Sequence, residues 1–306
     1  MLKRRIPYVF LFTALLAIPF YYLRDEMDTE EIKKHRHWIA KTRNSDTFRI
    51  VFGGDSRVFR GISPEHFSAE FDGIESFNYA YWANGYGKDY LEGIEKKMDS
   101  GSDFRMIVLG VSPHSLTKKT ARSKHYQWEQ SRSKEHVLQT LYFSKIQEIF
   151  TPYDAIELAE KLTGKSKPNN YRITYHPNGW VESYWIVSDT THAARSYKNL
   201  FKDDPVSDEV IQGLLEFVER WTNMGIVVVG FRPPASYTIR GYERDRGGFS
   251  EVGFVERFTN AGGIWIPVSP DAYQTFDGSH LEHKSAMRLS GDLARQIRQE
   301  IKTESR

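Results

Sequence analysis

The stretch Arg49-Ile50-Val51-Phe52-Gly53-Gly54-Asp55-Ser56-Arg57 decides how this chain reads. From its polar start at Arg49, an apolar run through Ile50, Val51 and Phe52 stops at two glycines. That pattern predicts a buried central strand of an α/β sheet. Glycines let the chain turn sharply at the carboxyl end of such a strand, where open α/β sheets bind their ligands. Ser56 would then sit at the sheet edge beside backbone N–H groups, a setting that suits a nucleophile. An ordinary strand-to-helix turn capped by Asp55 or Ser56 would carry the same residues, so this segment alone leaves both readings open.

Working outward, Ser63-Pro64-Glu65 predicts a helix start, with Ser63 as cap, and a short helix to about Phe71. Ile74 to Tyr79 would return as a second strand. The segment Asn78 to Gly87 sets two glycines among aromatics, which suggests a loop whose backbone approaches something closely. Leu91, Ile94 and Met98 mark one face of a helix running from Asp89 to about Gly101. Phe104 to Gly110 is the clearest buried strand, and it leads into Val111-Ser112-Pro113. Further on, Ser207 caps a helix that buries Val210, Leu214, Phe217, Val218 and Trp221 and stops at Gly225. A strand follows to Phe231, closed by Arg232-Pro233-Pro234. A helix over 250–258 and a short strand over 263–268 come next. Leu289, Leu293, Ile297 and Ile301 stripe a final helix.

Strands alternating with helices in this way predict a three-layer α/β/α domain around a flavodoxin-like parallel sheet of about five strands. Residues 114–205 exceed a normal crossover and read as an inserted cap over the strand ends. Within it, helices are expected near 134–149 and 153–163, and Asn178-Gly179 predicts a hairpin over Tyr171–Trp185. Trp180, Tyr184 and Trp185 would suit stacking on a sugar if exposed, or simply hold the insertion down. His176 reads as a turn residue.

At the other end of the chain, Phe276-Asp277-Gly278-Ser279-His280-Leu281 precedes the final helix. Taken together, Gly54-Asp55-Ser56 and Asp277-x-x-His280 resemble the SGNH/GDSL hydrolase superfamily over roughly residues 47–300. The resemblance implies that Ser56 is the nucleophile, His280 the base and Asp277 the carboxylate that orients it. The chemistry suits the spacing, because a carboxylate three residues before an imidazole can hold one ring nitrogen while the other faces a serine. In that family a glycine of the second block helps form an oxyanion hole with the serine N–H. Gly85 matches best, with Gly87 or Ala83 as alternatives. The third block departs from the family. Where Gly-x-Asn-Asp is usual, this chain has Gly110-Val111-Ser112-Pro113, leaving Ser112 as a weaker donor. A Gly-x-Ser-Pro ending is similar to a membrane-anchored branch that includes D-alanyl-lipoteichoic acid transfer proteins and accessory proteins of polysaccharide O-acetylation.

Composition narrows the classes. The 306 residues include 42 Lys and Arg against 40 Asp and Glu, so no global field points to nucleic acid. The absence of cysteine excludes thiol catalysis, thiolate metal sites and disulfides. No P-loop or clustered metal-ligand spacing occurs, and neither a cofactor nor a metal is expected. Lys3, Arg4 and Arg5 precede Ile6 to Leu23, which carries no charge. At about 1.5 Å per residue that helix would be about 27 Å long, enough to span a hydrocarbon core. Tyr21 and Tyr22 suit the far interface, and the basic cluster places the amino terminus in the cytoplasm. The expected organisation is an anchor over 1–23, a charged stalk over 24–46, and a domain over 47–306 in the periplasm or outside the cell. A cleaved signal peptide is the competing reading, but no small-x-small site follows the apolar run.

These features lead us to expect a single-pass, extracytoplasmic serine esterase or O-acyltransferase acting on acyl esters of cell-envelope glycans. Arg57, Arg232 and Trp180 are candidate substrate contacts, although each arginine could equally hold a structural carboxylate. The partners implied by the resemblance are a cell-envelope polysaccharide or teichoic-acid-like acceptor and a multi-spanning membrane O-acyltransferase. A catalytically weak scaffold that binds such an acyltransferase or a polysaccharide is the alternative from another class.

Overall fold

The computed structural model describes residues 30–143 and 170–304. The expected anchor over 6–23 and the helix near 153–163 lie outside the described residues. No helix among the described residues is long and apolar enough to cross a membrane. The described chain falls into two compact units, 30–40 with 131–143 and 41–130 with 170–304. In the smaller unit the Arg132 guanidinium reaches the rings of His136 at 2.9 Å and His35 at 3.2 Å.

The larger unit is built on a parallel sheet of five strands: β1 (Ile50–Gly54), β2 (Ser76–Asn78), β3 (Met106–Gly110), β6 (Val227–Phe231) and β7 (Ile264–Ile266). They lie in the order β2-β1-β3-β6-β7. Without the inserted hairpin this is the 2-1-3-4-5 order of doubly wound sheets, whose switch point falls between β1 and β3. Every residue of β1 and β3 is buried, as expected of parallel strands covered on both faces. Successive β1 residues point to opposite layers. Phe52 meets Phe67 edge-on, while a side chain at Gly53 would strike Ile94. Accordingly, helices Ser56–Gly61 and Pro64–Ser68 pack with His283–Glu304 on one face. Helices Lys88–Lys96 and Glu251–Asn260 pack with Asp208–Asn223 on the other.

Apolar spacing located these elements to within a few residues, and the differences have local causes. The sequence reading gives Ser56–Gly61 only as a strand-to-helix turn capped by Asp55 or Ser56, without its length, and passes over helices His192–Leu200 and Tyr237–Asp245. The first of the three is too short to show a period. The last buries only Ile239 and the charged Glu243. The expected caps Ser63 and Ser207 occupy cap positions without a side-chain bond, whereas Ser250, expected within its helix, caps it by accepting from Gly253 N. The insertion is not one separate body. Of its described residues only 131–143 lie in the smaller unit, while β4 (Tyr171–Tyr175), β5 (Val181–Trp185) and helix His192–Leu200 belong to the unit that holds the sheet. The end of the expected stalk also belongs there, because Lys41 Nζ donates to Gly179 O at 2.9 Å and Thr42 Oγ1 bonds Tyr81 OH at 3.0 Å.

Candidate active site

The turn after β1 is held from three sides. Gly54 N donates to Tyr90 OH at 2.8 Å, and Gly54 O accepts from Tyr81 N at 3.2 Å. A Cβ on Gly54 would lie 2.4 Å from Val58 Cγ2, so only glycine lets the following helix fold back this closely. Asp55 caps that helix by accepting from Arg57 N at 2.9 Å, and its other oxygen accepts the Ser112 hydroxyl. Ser56 therefore opens the helix at the switch point of the sheet, and its side chain stays half-buried.

The loop after β7 is fixed largely by the insertion. Asp189 N donates to Phe276 O, and Ala193 N to Asp277 O, both at 2.9 Å. Gly278 adopts a left-handed φ of 91° and passes its carbonyl to Ser236 N at 2.8 Å. The Phe276 ring stacks on His280 with centroids 5.8 Å apart. These contacts make an irregular loop rigid enough to aim an imidazole.

The two loops meet. Ser56 Oγ lies 2.8 Å from His280 Nε2, and His280 Nδ1 lies 2.7 Å from Asp277 Oδ2. The second oxygen of Asp277 accepts the N–H groups of His280 at 2.7 Å and Ser279 at 2.8 Å. Burial pushes the Asp277 carboxyl up, but the hydrogen bonds from the His280 ring and these two backbone N–H groups outweigh it and hold the group at about 2. Asp277 is thus ionised and fixes the ring proton on Nδ1, leaving the Nε2 lone pair for the serine. Burial lowers the proton affinity of His280, Asp277 opposes that, and the charges of Arg60 and Arg57 add to the lowering. The ring is neutral at pH 7, the state that can accept a proton from Ser56.

The remaining expected contacts sit elsewhere. Trp180 is 1% exposed, donates Nε1–H to Arg60 O at 2.9 Å and stacks on His176. It is a packing residue of the hairpin and offers no face to a sugar. Arg57 and Arg232 both turn to the buried carboxylate of Glu243, at 2.7 and 2.6 Å. Of the two roles open to these arginines, the structure selects the structural carboxylate. Ser112 is fully buried and gives its hydroxyl proton to Asp55, so it is not placed as an oxyanion donor. Gly85 is pressed against the segment after β3: a Cβ there would stand 2.5 Å from the Thr120 carbonyl carbon. Two residues earlier, Ala83 holds a φ of 48°, rare for a residue with a side chain.

Sequence reasoning missed Glu243, Arg60 and Ser279. Glu243 lies in the charged run Arg240-Gly241-Tyr242-Glu243-Arg244-Asp245-Arg246, which reads as a solvated helix face. Its only signal is its position one turn after Ile239. Among the described residues, no group of three or more His, Asp or Glu side chains is arranged to hold a metal ion.

Comparison with known proteins adds little to this geometry. No family model matches the chain, and no curated protein matches it. Among solved structures it is similar to a protein from Streptococcus pneumonia provisionally named a platelet activating factor. The identity is 12%, covering 92% of this chain and 98% of that one, and the TM-score is 0.35. A likeness that distant bears on neither the fold nor the chemistry.

Proposed function

We propose that this protein is a serine esterase or O-acyltransferase of the SGNH type, anchored in the membrane through residues 6–23. Its globular part lies on the far side from a cytoplasmic amino terminus and acts on acyl esters of cell-envelope glycans. The observation that carries this reading is the unbroken hydrogen-bonded series from Ser56 Oγ through His280 to Asp277. In the first half-reaction Ser56 Oγ attacks the acyl carbonyl carbon while its proton passes to His280 Nε2. The tetrahedral intermediate collapses, the C–O bond to the departing alcohol breaks, and His280 returns the proton to that alcohol. In the second half-reaction His280 takes a proton from water or a glycan hydroxyl, which attacks the acyl-serine and frees Ser56. Water makes the protein an esterase; a sugar hydroxyl makes it a transferase. Asp277 stabilises the imidazolium formed in each half. In this reading the Ser56 N–H and the Gly85 N–H, with Gly87 or Ala83 as alternatives, stabilise the developing oxyanion.

The glycan, the teichoic-acid-like acceptor and a multi-spanning acyltransferase partner come into this reading by resemblance alone. The scaffold alternative draws support from the buried Ser112, which leaves the third block without an oxyanion donor. Treating the full chain in detergent with a fluorophosphonate probe decides between them. Covalent labelling that disappears in Ser56→Ala is the expected result, and no labelling of the unaltered chain favours the scaffold.

A further inference from the structure

Glu243 is fully buried between two arginine guanidinium groups. Its Oε1 lies 2.7 Å from Arg57 Nη2, and its Oε2 accepts from Arg232 Nη2 at 2.6 Å. Arg57, itself 2% exposed and set over the Tyr197 ring, donates Nε–H to Ser279 Oγ at 3.1 Å. Ser279 N–H reaches Asp277 Oδ1 at 2.8 Å, and its hydroxyl donates to Tyr197 OH at 3.2 Å. A continuous series therefore runs from the helix after β6, through Arg57, to the loop after β7. Arg57 is the chain neighbour of the nucleophile, and Ser279 is the chain neighbour of the base.

We propose that Glu243 is a positioning residue for the Ser56–His280 pair. By gripping Arg57 it locks the nucleophile turn and the Asp277–His280 loop in register, and it offsets a positive charge beside the imidazole. The proposal rests on the acyl-transfer reading above and names a residue that serves it from outside the reacting groups. Stability alone does not explain such a residue. A buried ion pair is often no better than apolar side chains of the same volume, and Glu243 occupies the turn after the buried Ile239, where an apolar side chain would pack. Geometry does explain it, since displacements of about 1 Å at a reacting pair can cost roughly a hundredfold in rate.

The charges around the imidazole fix the sign of the electrostatic effect. His280 faces Asp277 from its own loop and Arg57 and Arg60 from the helix after β1, and both arginines disfavour its protonation. Glu243 acts on Arg57 from helix Tyr237–Asp245, while His114 after β3 and Tyr197 of helix His192–Leu200 share the same field. Deleting the Glu243 charge removes the strongest charge opposing Arg57 and leaves only the weaker pull of Asp55, which pushes the imidazole further toward its neutral form. Deleting the Arg57 charge does the opposite.

The test is the rate of fluorophosphonate labelling of Ser56 in the full chain as a function of pH. Glu243→Gln is expected to slow the plateau rate about tenfold or more and to move the acid limb to lower pH by roughly half a unit to one unit. Arg57→Gln is expected to move the limb upward by a similar amount. A purely structural role would lower the labelled fraction in both variants and leave the limb where the unaltered chain has it; that result overturns the proposal. If Glu243→Gln does not fold, Ser279→Ala cuts the series while leaving the buried ion pair whole. Labelling about tenfold slower at a near-normal thermal midpoint supports the proposal, and an unchanged rate overturns it. Absence of labelling in the unaltered chain would overturn the acyl-transfer reading itself and the positioning role with it. Normal labelling with unmoved variants would overturn the positioning role alone.

Discussion

Ser56 Oγ and His280 Nε2 stand 2.8 Å apart although 224 residues separate them in the chain. The parallel sheet produces this meeting. Both residues leave the carboxyl ends of their strands, and the doubly wound order brings those ends to one edge. The acid–base loop would still be free to swing without the insertion, whose Asp189 and Ala193 hold Phe276 and Asp277 by backbone hydrogen bonds.

Replacing members of the series should have grossly non-additive effects. Ser56→Ala and His280→Ala are each expected to lower hydrolysis of an activated ester by roughly 10³-fold or more, and the double variant should be hardly worse than either. Steady-state assay of the three variants beside the unaltered chain measures this. A double variant slower by the product of the two single effects would show that the residues do not act as a unit.

The pH dependence follows from the neutral imidazole. His280 is needed unprotonated, and its proton affinity is held below the ordinary value of 6.5, first by burial and then by Arg60 and Arg57 against the pull of Asp277. Activity should therefore persist below pH 6.5 and fall only as pH drops through the lowered value. A limb above 6.5 in the kcat/KM profile would contradict this environment.

Asp277 links the site to acid stability. Its folded value of about 2 lies below the ordinary 3.8, so the stability it contributes is complete above 3.8 and is lost as pH falls toward 2. The amount is roughly 2 kcal/mol. In Asp277→Asn the ring is no longer held in the tautomer that leaves Nε2 free, and a rate loss of about 10⁴ is expected. Denaturant titrations at pH 7 and pH 3 should show a smaller difference in the variant than in the unaltered chain.

Ser112→Ala separates two roles for the residue after β3. Loss of an oxyanion donor would reduce kcat by about 10²–10³. Loss of a buried partner for Asp55 would instead destabilise the fold by about 1–3 kcal/mol. Since the hydroxyl is given to Asp55, we expect the second outcome, with kcat within about tenfold of normal. Chemical denaturation and the ester assay on one preparation distinguish them.

Gly54→Ala should be severe. The added methyl meets Val58 Cγ2 at 2.4 Å, and helix Ser56–Gly61 must shift to admit it. Overpacking of this kind costs about 1–3 kcal/mol, and here it also moves the serine. A variant with normal thermal midpoint and normal labelling would show that the turn is looser than its contacts indicate.

The elements legible in the sequence share a physical property. β1, β3 and helix Asp208–Asn223 bury apolar side chains at a local period, and hydrophobic burial is strong enough to show in a few consecutive residues. The Ser56 and Asp277–His280 blocks were legible for another reason, since they pair unusual residue types with turn glycines. The charged members of the site were not legible in this way. Glu243 looks like a surface residue, Arg57 and Arg232 read equally as substrate contacts or as holders of a structural carboxylate, and Trp180 as a sugar platform or a packing residue. The exposure of each depends on chain that arrives from far away.

The amino-acid sequence by itself determined the alternation of strands and helices, the glycine turn before Ser56 and the Asp277-x-x-His280 spacing, because each is a short-range consequence of burial and backbone sterics. Only the tertiary structure decided that the two distant loops touch, that Ser112 serves Asp55, that Trp180 is packed away, and that Glu243 ties Arg57 beside the nucleophile. Those outcomes belong to pairs of groups more than fifty residues apart in the chain, and Coulombic and hydrogen-bonding partners at that separation are chosen by how the sheet closes, not by any local pattern.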